Sequence, residues 1–245
     1  MTATEPRTPR DRESWARPVD RLATTATGAG MDTVTGKRVA GPVQGFGQMW
    51  QKTFRVRLDG SDATPEHVVA HWKEQFPSFW PKGNRFYAPL AGIAPGEVAL
   101  LEIQAVPGAP VRMSTGVLVI YADAESFTFM TPEGHALSAW ITFSAYRDGD
   151  VTIAQAQALE RTSDPLIELS YLLGANRMND RFWVGTLANL ARTLGVTTPE
   201  VETTKVCVDR RRQWRYVRNL RHSPAFSTAV GTLTAPARWL RRRGG

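Results

Sequence analysis

The residues best placed by type to do chemistry lie in "ESFTFMTPEGHALSAWITFSAY", residues 125–146. A histidine, His135, stands two residues from a glutamate, Glu133, between two aromatic runs. A His–Glu pair could act as general acid and base. The same letters also spell a hairpin: Pro132 suits the first corner of a type I turn, and Gly134 the left-handed position after it. The turn then sets a register in which Thr131 faces His135, Phe129 faces Leu137 and Phe127 faces Ala139. Odd positions share a face, so Phe129, Leu137, Ile141 and Phe143 form one apolar surface with His135 at its rim, and Glu133 stands at the loop tip in water. On this reading His135 is either a rim histidine bonded to Thr131 or to backbone, or a polar anchor at a cavity mouth. An enzymatic version, of the cyclase or dehydratase type, needs a second polar group beside it, such as Tyr87 or Arg112.

Other candidate chemistry is sparse. His67 and His71 fall four apart in "PEHVVAHWKEQF", on one helical face. A zinc protease pattern requires Glu directly after the first His, and Val68 stands there. No third ligand is evident, so no metal is expected. Neither GxSxG, nor a phosphate loop, nor CxxC occurs. "GFGQMW" is too short for a dinucleotide fingerprint and lacks its βαβ context. The sequence calls for no cofactor.

Charge is concentrated at one end. The chain carries a formal +7 over 245 residues. Residues 205–245 hold eleven Lys/Arg and one acid, a net +10, which leaves −3 for the remainder. The candidate anion or membrane contacts are Arg210, Arg211, Arg212, Trp214, Arg215 and Arg218, followed by Trp239, Arg241, Arg242 and Arg243. Between them, from Ser223-Pro224 onward, Phe226, Val230, Leu233, Ala237 and Leu240 fall on one helical stripe, which Pro236 breaks or kinks. Three uses fit this segment. It can pack on its own domain, lie on anionic lipid, or meet nucleic acid phosphates with Trp214 and Tyr216 stacking. No helix-turn-helix or zinc pattern supports nucleic acid, so a membrane surface ranks above it. Nothing specifies an oligomeric state. The single cysteine, Cys207, permits no intrachain disulfide and fits a reducing cytoplasm. No apolar stretch approaches the roughly 20 residues of a membrane span, and the N-terminus has no apolar core of a signal peptide.

These residues need a scaffold. The length accommodates one domain of about 150 residues plus extensions. Residues 1–40, rich in Thr, Pro, Gly and charge, read as a disordered tail with Trp15 as a possible docking point. Residues 41–195 carry the periodic elements, and 196–245 form a basic amphipathic extension. "KTFRVRLDG" alternates as a strand, with Phe54, Val56 and Leu58 on one face. Thr64 caps a helix that has Pro65 at its first position and ends before Pro77. "PSFWPKGNRFYAPLAGIAPGE" reads as loop, its aromatics either core or a lid over a cavity mouth. "VALLEIQAV", "TGVLVIYA", "SFTFMT", "ALSAWITFSAY" and "DVTIAQAQAL" follow as strands joined by short turns, one of them Asp148-Gly149-Asp150. Asp164-Pro165 then opens a long helix that stops at Gly195, with a bend or break at Gly174 and Asn176. Trp183, Leu187, Leu190 and Leu194 make its apolar stripe.

A curved antiparallel sheet with one long C-terminal helix across its concave face buries all of these stripes. The expected class is therefore α+β. This order of elements resembles the helix-grip fold of the START/SRPBCC superfamily. The strings "GPVQGFGQMWQKTFRVRL", "GNRFYAPL", "FTFMTPEGHALSAWITF" and "RMNDRFWVGTLANLARTLGV" are more closely similar to an actinobacterial family within it, one for which no activity is established. The resemblance implies an apolar cavity between sheet and long helix that takes a hydrophobic small molecule or lipid. Phe129, His135, Leu137, Ile141, Phe143, Tyr87, Trp183 and Leu187 are its expected lining.

Overall fold

The computed structural model describes residues 32–33, 37–104 and 112–223. The N-terminal stretch with Trp15, the stripe expected beyond Ser223, and Trp239, Arg241, Arg242 and Arg243 lie outside the described residues. So does the side chain of Arg112.

Among the described residues ten strands and three α-helices follow one another. β1 (Asp32–Thr33) and β2 (Lys37–Arg38) form a small hairpin, and β3 (Met49–Arg57) opens the main sheet. Next come α1 (Pro65–Gln75), β4 (Arg85–Tyr87), β5 (Val98–Gln104), β6 (Arg112–Ala122), β7 (Ser126–Met130), β8 (Leu137–Asp148) and β9 (Val151–Thr162). After α2 (Pro165–Ser170) and α3 (Asn176–Thr193), β10 (Val201–Asp209) closes the series. The curved sheet is antiparallel throughout, in the order β10-β3-β9-β8-β7-β6-β5-β4. This is the helix-grip arrangement the element order implied.

The local signals act where they stand. Thr64 Oγ1 accepts from the His67 amide and starts α1 behind Pro65. The Asp164 carboxylate accepts from the Leu166 and Ile167 amides and starts α2 in the same way. The long helix is interrupted where glycine allows it. Tyr171–Ala175 forms a π-type turn in which Gly174 takes φ 119°, a conformation a side chain would oppose. Four strands were not read from the sequence: β1 and β2 fall within residues 1–40, read as a disordered tail. β4 lies in the stretch read as loop, and three residues carry too little alternation to mark it. β10 lies beyond Gly195, within the segment read as a basic extension. It adds an eighth strand by pairing with β3, Val201 opposite Val56 through Cys207 opposite Trp50.

Register fixes what faces inward. Phe54, Ala156, Phe143 and Phe127 lie side by side across β3, β9, β8 and β7, and all four are buried. Trp72 of α1 and Leu187, Leu190 and Ala191 of α3 cover this inner face.

Candidate ligand-binding site

Two different chemistries share the inner face. Toward β4–β8 it is aromatic. The Phe76 ring, on the turn after α1, is a hub, with Phe86, Phe129, Phe143 and Phe127 centred 4.8, 5.4, 5.1 and 5.7 Å away. Trp72 meets Phe143 edge-on at 5.1 Å, and Trp183 reaches the same ring at 5.5 Å from α3. Edge-to-face packing is favoured because the positive edge of one ring meets the negative face of another.

The expected lining residues can now be placed. Phe129, Phe143 and Leu187 belong to the buried core, while Ile141 and Trp183 are partly buried against it. Leu137 is buried opposite Thr162 at the start of β8. Tyr87 requires a correction. Its neighbour Phe86 faces inward beside Leu101, so Tyr87 points outward, 44% exposed. It cannot meet a ligand beneath α3.

His135 is buried but engaged locally. The Leu137 amide donates to its Nδ1 at 3.0 Å. Nδ1 also lies 3.1 Å from the Leu137 carbonyl, so one tautomer accepts from the amide and the other donates to the carbonyl. Burial holds the imidazole pKa down at about 4, against a smaller opposing effect of the Leu137 backbone. The ring is neutral at pH 7 and closes the turn on its own strand. The hairpin register also differs from expectation. Phe129 pairs with Ile141 and Phe127 with Phe143, a slip of four residues. The turn is a wider loop from Thr131 to Ala136, in which Gly134 keeps φ 85° and the Thr131 hydroxyl accepts from the Ala139 amide at 2.9 Å. Because the slip is even, the same side chains stay on the same face.

Toward β3, β9 and β10 the inner face is ionic. Lys52, 2% exposed, sits beside Ala158 and below the start of α3. Its ammonium lies 2.7 Å from Glu160, 2.9 Å from Asp180 and 2.6 Å from the Asn176 side-chain oxygen. Lys205 of β10 closes on the other Asp180 oxygen. Burial alone would depress the Lys52 pKa, but Glu160 and Asp180 more than offset this, and it is raised. Tyr171 covers the cluster, its ring centre 5.7 Å from the ammonium. Burial, then the charges of Glu160 and Asp180, push its phenol pKa well up, so it stays a neutral donor. Sequence reasoning missed this cluster. The one available signal was Lys52 itself, an ammonium in phase with Phe54 and Val56 on the apolar side of a strand.

Lys52 pairs with both carboxylates, so the cluster staples α3 to the sheet, while the buried Asp180 Oδ1 accepts no hydrogen bond among the described residues. Further free polar capacity lies in the aromatic half. The indole N–H groups of Trp72 and Trp80 are buried and have no acceptor among the described residues. His67 and His71 stack on α1, and His71 Nε2 lies 3.0 Å from Thr193 Oγ1 at the end of α3. Among the described residues no group of three or more His, Cys, Asp or Glu is placed to hold a metal ion.

The basic segment is tethered before it is exposed. Buried Arg161 binds the Asp209 carboxylate and the carbonyls of Gly47 and Arg211. Gly47 is small because the chain passes close to β9 there; a Cβ would collide with Thr162 and Glu168. Beyond this anchor, Trp214–His222 winds as 3-10 turns, with Arg210, Arg211, Arg212, Arg215 and Arg218 exposed. Trp214 rests edge-on against Phe46 at 5.3 Å. Among the described residues no helix is long and apolar enough to cross a membrane.

Comparison with known proteins gives likeness to solved structures at low identity. A KanY protein aligns at TM-score 0.48 with 14% identity, over 61% of this chain and 99% of its own. The di-domain ARO/CYC protein StfQ of the steffimycin biosynthetic pathway aligns at 0.44 with 10% identity, over 60% of this chain and 50% of its own. Major latex-like protein 151 of Panax ginseng aligns at 0.38 with 11% identity, over 61% of this chain and 100% of its own. No family model and no curated protein matches the chain.

Proposed function

We propose that the chain is a member of the START/SRPBCC superfamily that binds a hydrophobic small molecule or lipid between α3 and the inner face of the sheet. Its basic C-terminal segment would hold it at anionic membrane surfaces. One observation carries the ligand reading: within an aromatic interior under a long helix, two buried indole N–H groups find no acceptor among the described residues. A buried donor without a partner costs on the order of 1–3 kcal/mol. A ligand with an apolar body and an acceptor oxygen would recover that cost while burying its rings or chain on Phe129, Ile141 and Trp183. Lys52 is already paired with the Glu160 and Asp180 carboxylates, which disfavours a carboxylate or phosphate head at this place and favours a carbonyl, ether or hydroxyl.

Native mass spectrometry of the purified chain, followed by organic extraction, tests this reading. A co-purifying hydrophobic molecule is expected, and its retention should fall in Trp80→Phe, which keeps the ring and removes the donor. An extract without such a molecule, together with no uptake of 1-anilinonaphthalene-8-sulfonate by the folded chain, would refute it.

A further inference from the structure

The exposed apolar surface next to the basic turns points to how a membrane would be met. Leu166, Leu169, Leu172 and Leu173 follow helical spacing along α2 and the π-type turn, and they are 45%, 52%, 70% and 80% exposed. Ile167, on the other side of α2, is buried, so the helix is seated and the leucines face away from its seat. Four adjacent exposed leucines are unlike the scattered apolar residues of an ordinary surface. The basic turns abut this ridge. The Arg212 guanidinium lies 2.9 Å from Glu168, between Leu166 and Leu169, and Asn219 binds the Ser163 carbonyl at the start of α2. Arg177 and Arg181 stand exposed on α3, just beyond Leu173.

We propose that this leucine ridge enters an anionic lipid surface while the neighbouring arginines meet the headgroups. The inference rests on the membrane half of the reading above and deepens it by assigning the insertion to α2 and the turn at Gly174. Charge selects the occupant. The chain's own C-terminal segment, residues 224–245, carries four arginines and no acid, so it would bring like charge to a basic rim. A second copy placed ridge to ridge would do the same. An anionic bilayer supplies both an apolar interior for the leucines and negative charge for the rim.

Flotation of the full chain with phosphatidylcholine vesicles, with and without 30 mol% phosphatidylserine (about three lipids in ten), tests the assignment. The unmodified chain should float only with the anionic vesicles. Leu172→Ser/Leu173→Ser should weaken that binding on the order of tenfold, because buried apolar area sets interfacial affinity. Arg215→Ser/Arg218→Ser should weaken it roughly fivefold per residue and reduce its salt sensitivity. The single variant Leu173→Ser should fall in between, and an unchanged near-ultraviolet circular dichroism spectrum shows that each variant is folded. Binding by the unmodified chain that the leucine variants leave intact would overturn the ridge while leaving the basic segment as the anchor. Absence of binding to anionic vesicles would overturn both, and neither result bears on whether the interior holds a ligand. Equal binding to neutral vesicles would overturn the role of charge. Self-association lost in the leucine variants, without vesicle binding, would assign the ridge to a second copy instead.

Discussion

The aromatic and ionic halves of the inner face lie under the same helix and are held by opposite physics. The aromatic half depends on area and shape. Its rings interlock at 4.8–6.1 Å, and no single contact is indispensable. The ionic half depends on direction and count. Lys52 has three close oxygen partners, and each comes from an element that must be in place: Glu160 on β9, and Asp180 and Asn176 on α3. Apolar packing holds the helix close to the sheet. The staple fixes where along the sheet it sits, since a charge buried without its partner is far costlier than a ring slightly displaced.

That contrast can be broken from either side. The largest effect is expected from Phe76→Ala, which empties the aromatic hub and should cost about 4–5 kcal/mol in a urea melt. Lys52→Met should cost about 3–4 kcal/mol, because Glu160 is left buried without a counter-charge and Asp180 keeps only Lys205. Adding Glu160→Gln and Asp180→Asn should return most of that loss, a recovery that no second substitution near Phe76 would imitate. If Lys52→Met alone is neutral, the staple is dispensable and apolar packing places α3 by itself. Next comes His135. Its folded pKa of about 4 lies below the ordinary 6.5, so the unfolded chain binds the proton more readily between those values. Stability should therefore fall as pH drops from 6.5 toward 4, by on the order of 2–4 kcal/mol. His135→Asn, whose side-chain oxygen can accept from the Leu137 amide, should flatten this dependence. His135→Ala should cost about 1–3 kcal/mol at pH 7 by leaving that amide unpaired. The smallest effect belongs to the junction with α2, where Asp164→Ala should cost about 1–2 kcal/mol through loss of the cap, and Asp164→Asn much less.

The comparison also explains which parts were legible in advance. Alternation marks which side of a strand is apolar, and parity survives a register error. The hairpin at Gly134 slipped by four residues, yet Phe127, Phe129, Ile141 and Phe143 stayed together. The caps at Thr64 and Asp164 and the break at Gly174 were legible because each acts within a few residues of itself. The ionic staple was not, because its members are scattered from residue 52 to residue 205, and no local pattern links a lysine in β3 to an aspartate in α3. β10 was hidden for a related reason. Its alternation, Val201, Thr203, Lys205 and Cys207, is only weakly apolar, and only the open edge of β3 makes it a strand.

The sequence by itself determined the order of the longer elements from β3 to α3, the face most of them bury, and the concentration of positive charge near the C-terminus, since all of these follow from periodicity, caps and composition. Only the tertiary structure decided that His135 serves its own turn, that Tyr87 faces outward, and that Lys52, Glu160, Asp180 and Lys205 converge beneath α3. It also decided that the leucines of α2 stand exposed beside the arginines. Those outcomes depend on which residues distant in the chain come to lie within a few ångströms, and local periodicity carries no record of that distance.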